Sequence, residues 1–192
     1  MTISQKHILV LSICAIETAL LTLQLVTTGN IPWVNIREGS WIVVVIMLLP
    51  VVFTVLHSAW SFSWRFTALL MGVGGAVGFL FEEIGLTYGV VFGGQYSYPQ
   101  HTLLIAQVPI LVVLYWPLFI YLSYCLSNAV FRWFSGIDRF PTKAIPFLLI
   151  ADGFIAVSID LFLDPIQVQL GSWQWHANGW YYGIPIGNFV GW

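Results

Sequence analysis

The sequence predicts an all-α polytopic membrane protein, a bundle of five to six transmembrane helices with short aromatic β-segments capping its non-cytoplasmic face. Three observations carry this. Of 192 residues, 59% are hydrophobic and only 7% charged, whereas a soluble domain carries roughly a quarter charged residues. Five apolar runs approach or exceed the ~20 residues that cover the ~30 Å hydrocarbon core of a bilayer. The last of these runs is followed by alternating aromatics, the period of an extended chain. A single membrane domain spans residues 1–192.

The remaining composition narrows the function. Six basic and eight acidic residues give a net charge of -2, so no basic surface suited to nucleic acid is present. Cys14 and Cys125 both fall inside apolar spans, which gives no disulfide framework and no metal motif. His7, His57, His101 and His176 are scattered singly, without the paired spacing of the His-rich di-iron membrane oxygenases. Ten Trp, eight Tyr and 14 Phe leave aromatic surface as the main chemical resource beside the acids.

The first span, about Ile8 to Thr27, is too long and too interrupted by Glu17 for a signal peptide, and no A-x-A site follows it. The second covers about Trp41 to Leu56. In the third, about Arg65 to Phe81, MGVGGAVG imitates a dinucleotide loop, but Val77 stands where the third glycine belongs and no strand precedes it. Gly74 and Gly78 instead make a G-x-x-x-G face for close helix packing. Glu82 and Glu83 end this span, and Gln95 to Tyr98 reads as a short extended segment. The fourth span, about Leu103 to Leu126, contains Pro109 and Pro117, with a kink expected near Pro117; Trp116-Pro117 is best read as packing shape.

The fifth span, Ala144 to Asp164, carries Asp152, Asp160 and Asp164 with no Lys or Arg. Asp160 and Asp164, four apart, share a face, and Asp152 lies roughly 80° round from Asp160. Intramembrane acids of this kind mark functional sites, with hydrogen bonds to neighbouring helices as the competing reading. Pro165 disfavours helix at Asp164 and should end the span there. In the tail, aromatics flank Asn178-Gly179, which predicts a tight hairpin turn lying beside Gln95 to Tyr98. A further span could begin near Ile186.

Five of the six Lys and Arg residues fall on the N-terminal side of this topology, and Arg37 alone on the other. The N-terminus is thus cytoplasmic, and the protein is integral to the cytoplasmic (inner) membrane. Glu82, Glu83, Asp160, Asp164 and the aromatic tail then meet at the outer side. Such a cluster must retain a proton, because neighbouring carboxylates in a poor dielectric cannot all ionise. An acid at the rim of an apolar tunnel can protonate an alkene, a neighbouring carboxylate can activate water, and aromatic faces can shelter the cation between the two steps.

The pattern Glu82-Glu83-x-Gly85, Tyr88-Gly89, Phe92-Gly93, Tyr96-x-Tyr98, then Asp160-x-x-x-Asp164-Pro165, Trp173-x-Trp175, Gly179-x-Tyr181-x-Gly183-Ile184-Pro185 and Asn188-Phe189-x-Gly191-Trp192 resembles the membrane carotenoid hydratases. That family includes the gamma-carotene 1'-hydratase and the bisanhydrobacterioruberin hydratase. The similarity covers roughly Phe81 to Trp192. Members commonly continue past N-F-x-G-W into further hydrophobic sequence, where this chain stops at Trp192. The resemblance implies cofactor-independent hydration of the terminal 1,2 double bond of an acyclic carotenoid end, giving a tertiary 1-hydroxy group. It also implies a carotenoid substrate held within the lipid bilayer, with other carotenoid-pathway enzymes as partners.

The physical argument assigns Asp164 or Asp160 as general acid and Glu82 or Glu83 as the group positioning water. Tyr96, Tyr98, Trp173, Trp175 and Tyr181 would wall the cation, although Trp and Tyr also anchor at membrane interfaces. Asn188 and His176 are polar partners for the water, with a satisfied interface histidine as the competing reading of His176. Two other classes fit less well. A proton-coupled lipid or isoprenoid carrier would show an internal repeat that is not visible here, and a non-catalytic carotenoid-binding protein gives no reason for clustered acids.

Overall fold

The computed structural model describes residues 41–98, 103–136 and 141–192, with Ser12, Ile16, Ala19 and Leu20 as isolated positions. Apart from those four positions, the predicted first span lies outside the described residues, as do Glu17, Arg37 and His101. Four helices among the described residues are long and apolar enough to cross a membrane. They are α1 (Trp41–Ser61), α2 (Trp64–Tyr88), α3 (Ile110–Ser135) and α4 (Ile145–Gln169), the last entered through a short 3-10 turn, Thr142–Ala144.

The turn between α1 and α2 is closed by Ser63, whose Oγ accepts from the Phe66 N–H at 3.1 Å and so caps α2. Ser58 and Thr67, both buried, share a 2.8 Å hydroxyl bond that ties the two helices. Helix α2 packs on α3 through its small residues: a Cβ at Gly74 would lie 3.1 Å from the Pro117 Cβ, and one at Gly78 only 2.2 Å from Trp116 Cγ. Gly78 is therefore obligatory where the Trp116 ring lies on the α2 backbone.

Three sequence expectations are corrected. Leu103 to Val108 is not the start of a span. Its residues form β2 (Leu104–Ile105) and β3 (Val108–Pro109), an antiparallel pair turning at Ala106 (φ 52°), and α3 begins only at Ile110. A short apolar run is compatible with either state, and here Pro109 holds the extended cap position before the helix.

The fifth predicted span does not stop at Asp164. Helix α4 continues through Pro165 to Gln169. Proline removes the N–H that would bond the carbonyl four residues back, that of Leu161. The Tyr181 hydroxyl donates to that carbonyl at 3.0 Å, which satisfies the orphan and lets the helix run on.

The tail turn falls elsewhere than Asn178-Gly179. Ile184 N–H donates to the Tyr181 carbonyl at 2.8 Å, with Tyr182 (φ 49°) and Gly183 (φ 85°) both left-handed between them, a two-residue I′-type turn. Gly179 instead faces the returning chain, where a Cβ would lie 1.9 Å from the Ile184 carbonyl carbon. The glycine of the expected turn serves close backbone approach, and Gly183 serves the turn.

The expected neighbourhood with Gln95 to Tyr98 is present. β1 (Tyr96–Ser97) pairs antiparallel with β4 (Gln174–Trp175), Tyr96 opposite Trp175. A six-residue helix, α5 (Ile186–Gly191), follows the tail turn. The cluster of Leu86, Phe92, Tyr96, Val108 and Trp116 forms the core beneath these strands.

Candidate functional site

A cavity of about 1110 Å³ lies between α1, α3, the C-terminal half of α4 and the strand segments. Val44, Met47, Leu48, Leu111, Leu114 and Phe119 make its apolar walls, and Glu82, Asp160, Asp164 and Asn188 bring polar atoms to it. Those four side chains are almost wholly covered, with exposures of 5%, 2%, 1% and 4% respectively.

The helical spacing of Asp160 and Asp164 stacks their carboxylates on one face of α4. Helix α5 places a single amide between them: Asn188 Nδ2 donates to Asp160 Oδ2 at 2.7 Å and to Asp164 Oδ2 at 2.9 Å. Asp164 Oδ1 accepts from Trp173 Nε1 at 2.5 Å. Two carboxylates thus share one amide and one indole.

Glu82 is supplied differently. Its Oε2 accepts from the hydroxyls of Tyr96 (2.6 Å) and Tyr98 (2.9 Å), and its Oε1 from Trp116 Nε1 at 3.1 Å. Burial, then the Glu82 charge, pushes both tyrosine hydroxyls above their ordinary range, so they remain protonated donors. One carboxylate has three donors, all from aromatic residues. The rings continue as a wall: Tyr96 lies 4.8 Å from Trp175, Tyr98 6.0 Å from Trp173, and Trp116 stacks on Trp192 at 4.7 Å.

Among the described residues, no basic side chain pairs with these acids. Residues 144–192 contain neither Lys nor Arg. Arg65 and Lys143 stand 17 residues before Glu82 and Asp160 on their chains, about 25 Å away along a helix.

Of the residues singled out from sequence, Asp160, Asp164, Glu82, Tyr96, Tyr98, Trp173, Trp175 and Asn188 line the cavity. Glu83 does not; its carboxylate accepts from the Gln107 backbone and side chain, both at 3.3 Å, and so braces the β2–β3 turn. His176 is exposed, with Nε2 3.1 Å from Ser97 Oγ. Tyr181 supports α4 at Pro165, as described above. Asp152 bonds Ser127 of α3, two turns and about 12 Å from Asp160.

Trp116, read from sequence as packing shape alone, proves to be a Glu82 donor. Nothing local signals this, since the two lie 34 residues apart. Trp192, the last residue of the N-F-x-G-W motif, reaches the cavity beside it.

Four membrane-length helices around an acid-bearing apolar cavity suit an integral membrane protein. Residues 42–192 match the family described as carotenoid biosynthesis protein, and the chain belongs to that family. No curated protein and no solved structure matches it significantly.

Proposed function

We propose that this protein hydrates the terminal 1,2 double bond of an acyclic carotenoid end group, giving a tertiary 1-hydroxy carotenoid without a cofactor. The observation that carries the reading is the pair Asp160 and Asp164, buried at the cavity wall with one amide shared between them. The donor supply argues for where the proton resides. Glu82, with three donors, is the acid best supplied to bear a charge, whereas Asp160 and Asp164 together have fewer donors than two anions need, so the pair is where a proton resides.

That proton goes to C2 of the alkene and leaves a tertiary cation at C1. The fixed Glu82 carboxylate and the faces of Tyr96, Tyr98 and Trp175 stabilise the cation. Water adds to C1, and its surplus proton returns to the aspartate pair. Proton lent and proton returned cancel, and no electrons change hands. The apolar walls restrict water to the acid end, which keeps the cation from premature capture. By the positive-inside distribution, this end lies at the outer interface of the inner membrane, where one end of a bilayer-spanning polyene meets water.

The test is expression in a host accumulating lycopene or gamma-carotene, with mass spectrometry of the pigments. A product heavier by one water, labelled from ¹⁸O-water and not from ¹⁸O₂, is expected. Asp164→Asn should retain pigment binding and lose conversion; full conversion by this variant would remove Asp164 from the mechanism.

A further inference from the structure

Trp175 carries the one buried indole N–H, among the described residues, that has no hydrogen-bond partner. Buried donors are almost always paired, so an unpaired one at a cavity wall calls for an acceptor that enters with the ligand. The site is built for this. Trp173, at the bend before β4, and Trp175, within β4, both line the cavity. The first bonds Asp164 Oδ1; the second approaches the same carboxylate, but its N–H does not meet hydrogen-bond geometry there. The pairing of Trp175 opposite Tyr96 fixes the ring over the cavity.

Asp164 itself accepts from Trp173 and Asn188 and retains acceptor capacity, since a carboxylate offers about four lone-pair positions. An oxygen between Trp175 Nε1 and Asp164 would accept from the indole and donate to the carboxylate. This is the orientation a nucleophilic water needs, with its remaining lone pair facing the cavity.

We propose that the Trp175 indole N–H and the Asp164 carboxylate together hold the attacking water, making Trp175 a catalytic hydrogen-bond donor as well as part of the aromatic wall. The proposal rests on the hydration reading. Protonation at C2 and capture by water at C1 are separate steps, and Trp175 acts on the second. Without its N–H, the cation still forms, but it more often loses a proton from C2 or an adjacent methyl carbon and returns to an alkene.

Trp175→Phe, assayed in D₂O, separates the steps. A failed capture that loses protium, from C2 or from a methyl carbon, leaves deuterium in recovered, unhydrated carotenoid. Hydration should fall about tenfold, the worth of one neutral hydrogen bond, while the ratio of deuterated alkene to hydrated product rises. Both products come from the same folded molecules, so the ratio holds however much of the variant folds. Trp175→His, which keeps a ring N–H, should recover part of the wild-type ratio. An unchanged ratio in Trp175→Phe, with a hydrating wild type, overturns the water site and leaves the hydration reading standing. A wild-type chain that adds neither water nor deuterium to any acyclic carotenoid overturns both.

Discussion

Replacing Glu82 by Gln separates its charge from its shape. In the native site Oε2 takes two hydroxyl donors and Oε1 one indole donor. Gln can satisfy the same set in one orientation. Its oxygen accepts from Trp116, and its two N–H groups donate to the hydroxyls of Tyr96 and Tyr98, which rotate to accept. The loss is then confined to exchanging charged for neutral hydrogen bonds, offset by no longer burying a charge, and stability should change by less than about 2 kcal/mol.

The activity should change far more. At an effective dielectric of about 20, a carboxylate about 6 Å from a cation is worth about 2.8 kcal/mol, or roughly a hundredfold in rate. Glu82→Leu provides the contrast: it strands three buried donors at about 1–3 kcal/mol each and should fail to accumulate. The assay is carotenoid conversion per unit of folded protein, with melting of the solubilised protein alongside. Wild-type conversion by a stable Glu82→Gln would refute the electrostatic role. A Gln variant as unstable as Leu would show instead that the charge serves folding.

Two further outcomes follow from the same geometry. Gly78→Ala places a Cβ where Trp116 lies, so the ring must leave both Glu82 and Trp192; the expected cost is about 1–3 kcal/mol, read as a lowered melting temperature. Gly72→Ala, with nothing within 4 Å, should not lower it. On the alkaline side, unfolded tyrosines ionise near pH 10, while Tyr96 and Tyr98 stay protonated in the fold. Their contribution is therefore complete below about pH 10 and is lost as pH rises above it; a melting series in which stability instead fell between pH 8 and 9 would contradict the burial of both hydroxyls.

What was legible in the sequence follows the range of the interactions. The α1 to α4 spans are set by apolar length, and the shared face of Asp160 and Asp164 by helical spacing, so both could be read directly. The pairing of β1 with β4 was half legible, because alternation marks extended chain without naming its partner. Pro165 reads as a stop from sequence alone because its compensation comes from Tyr181, beyond a turn and a strand. The Asn178-Gly179 signal failed because a glycine can serve either φ or proximity, and only the returning Ile184 decides which. The role of Trp116 is hidden from sequence for the same reason: its chemistry is set by Glu82 on a different helix.

The placement of polar groups also bears on the choice between hydratase and proton-coupled carrier. A carrier must pass protons between the two sides of the membrane, whereas hydration lends and recovers a proton at one place. Along α4, Asp152 and Asp160 are separated by Gly153 to Ile159, and the hydroxyl in that interval, Ser158, is exposed and bonds the Phe154 carbonyl of its own helix. Asp152 is engaged by Ser127 on α3, whereas Glu82, Asp160 and Asp164 all reach one cavity. Among the described residues, α4 offers no side-chain relay linking the two acid positions. Glu82, Asp160 and Asp164 thus sit together at one end of an apolar chamber, which supports the proposed hydration over transport.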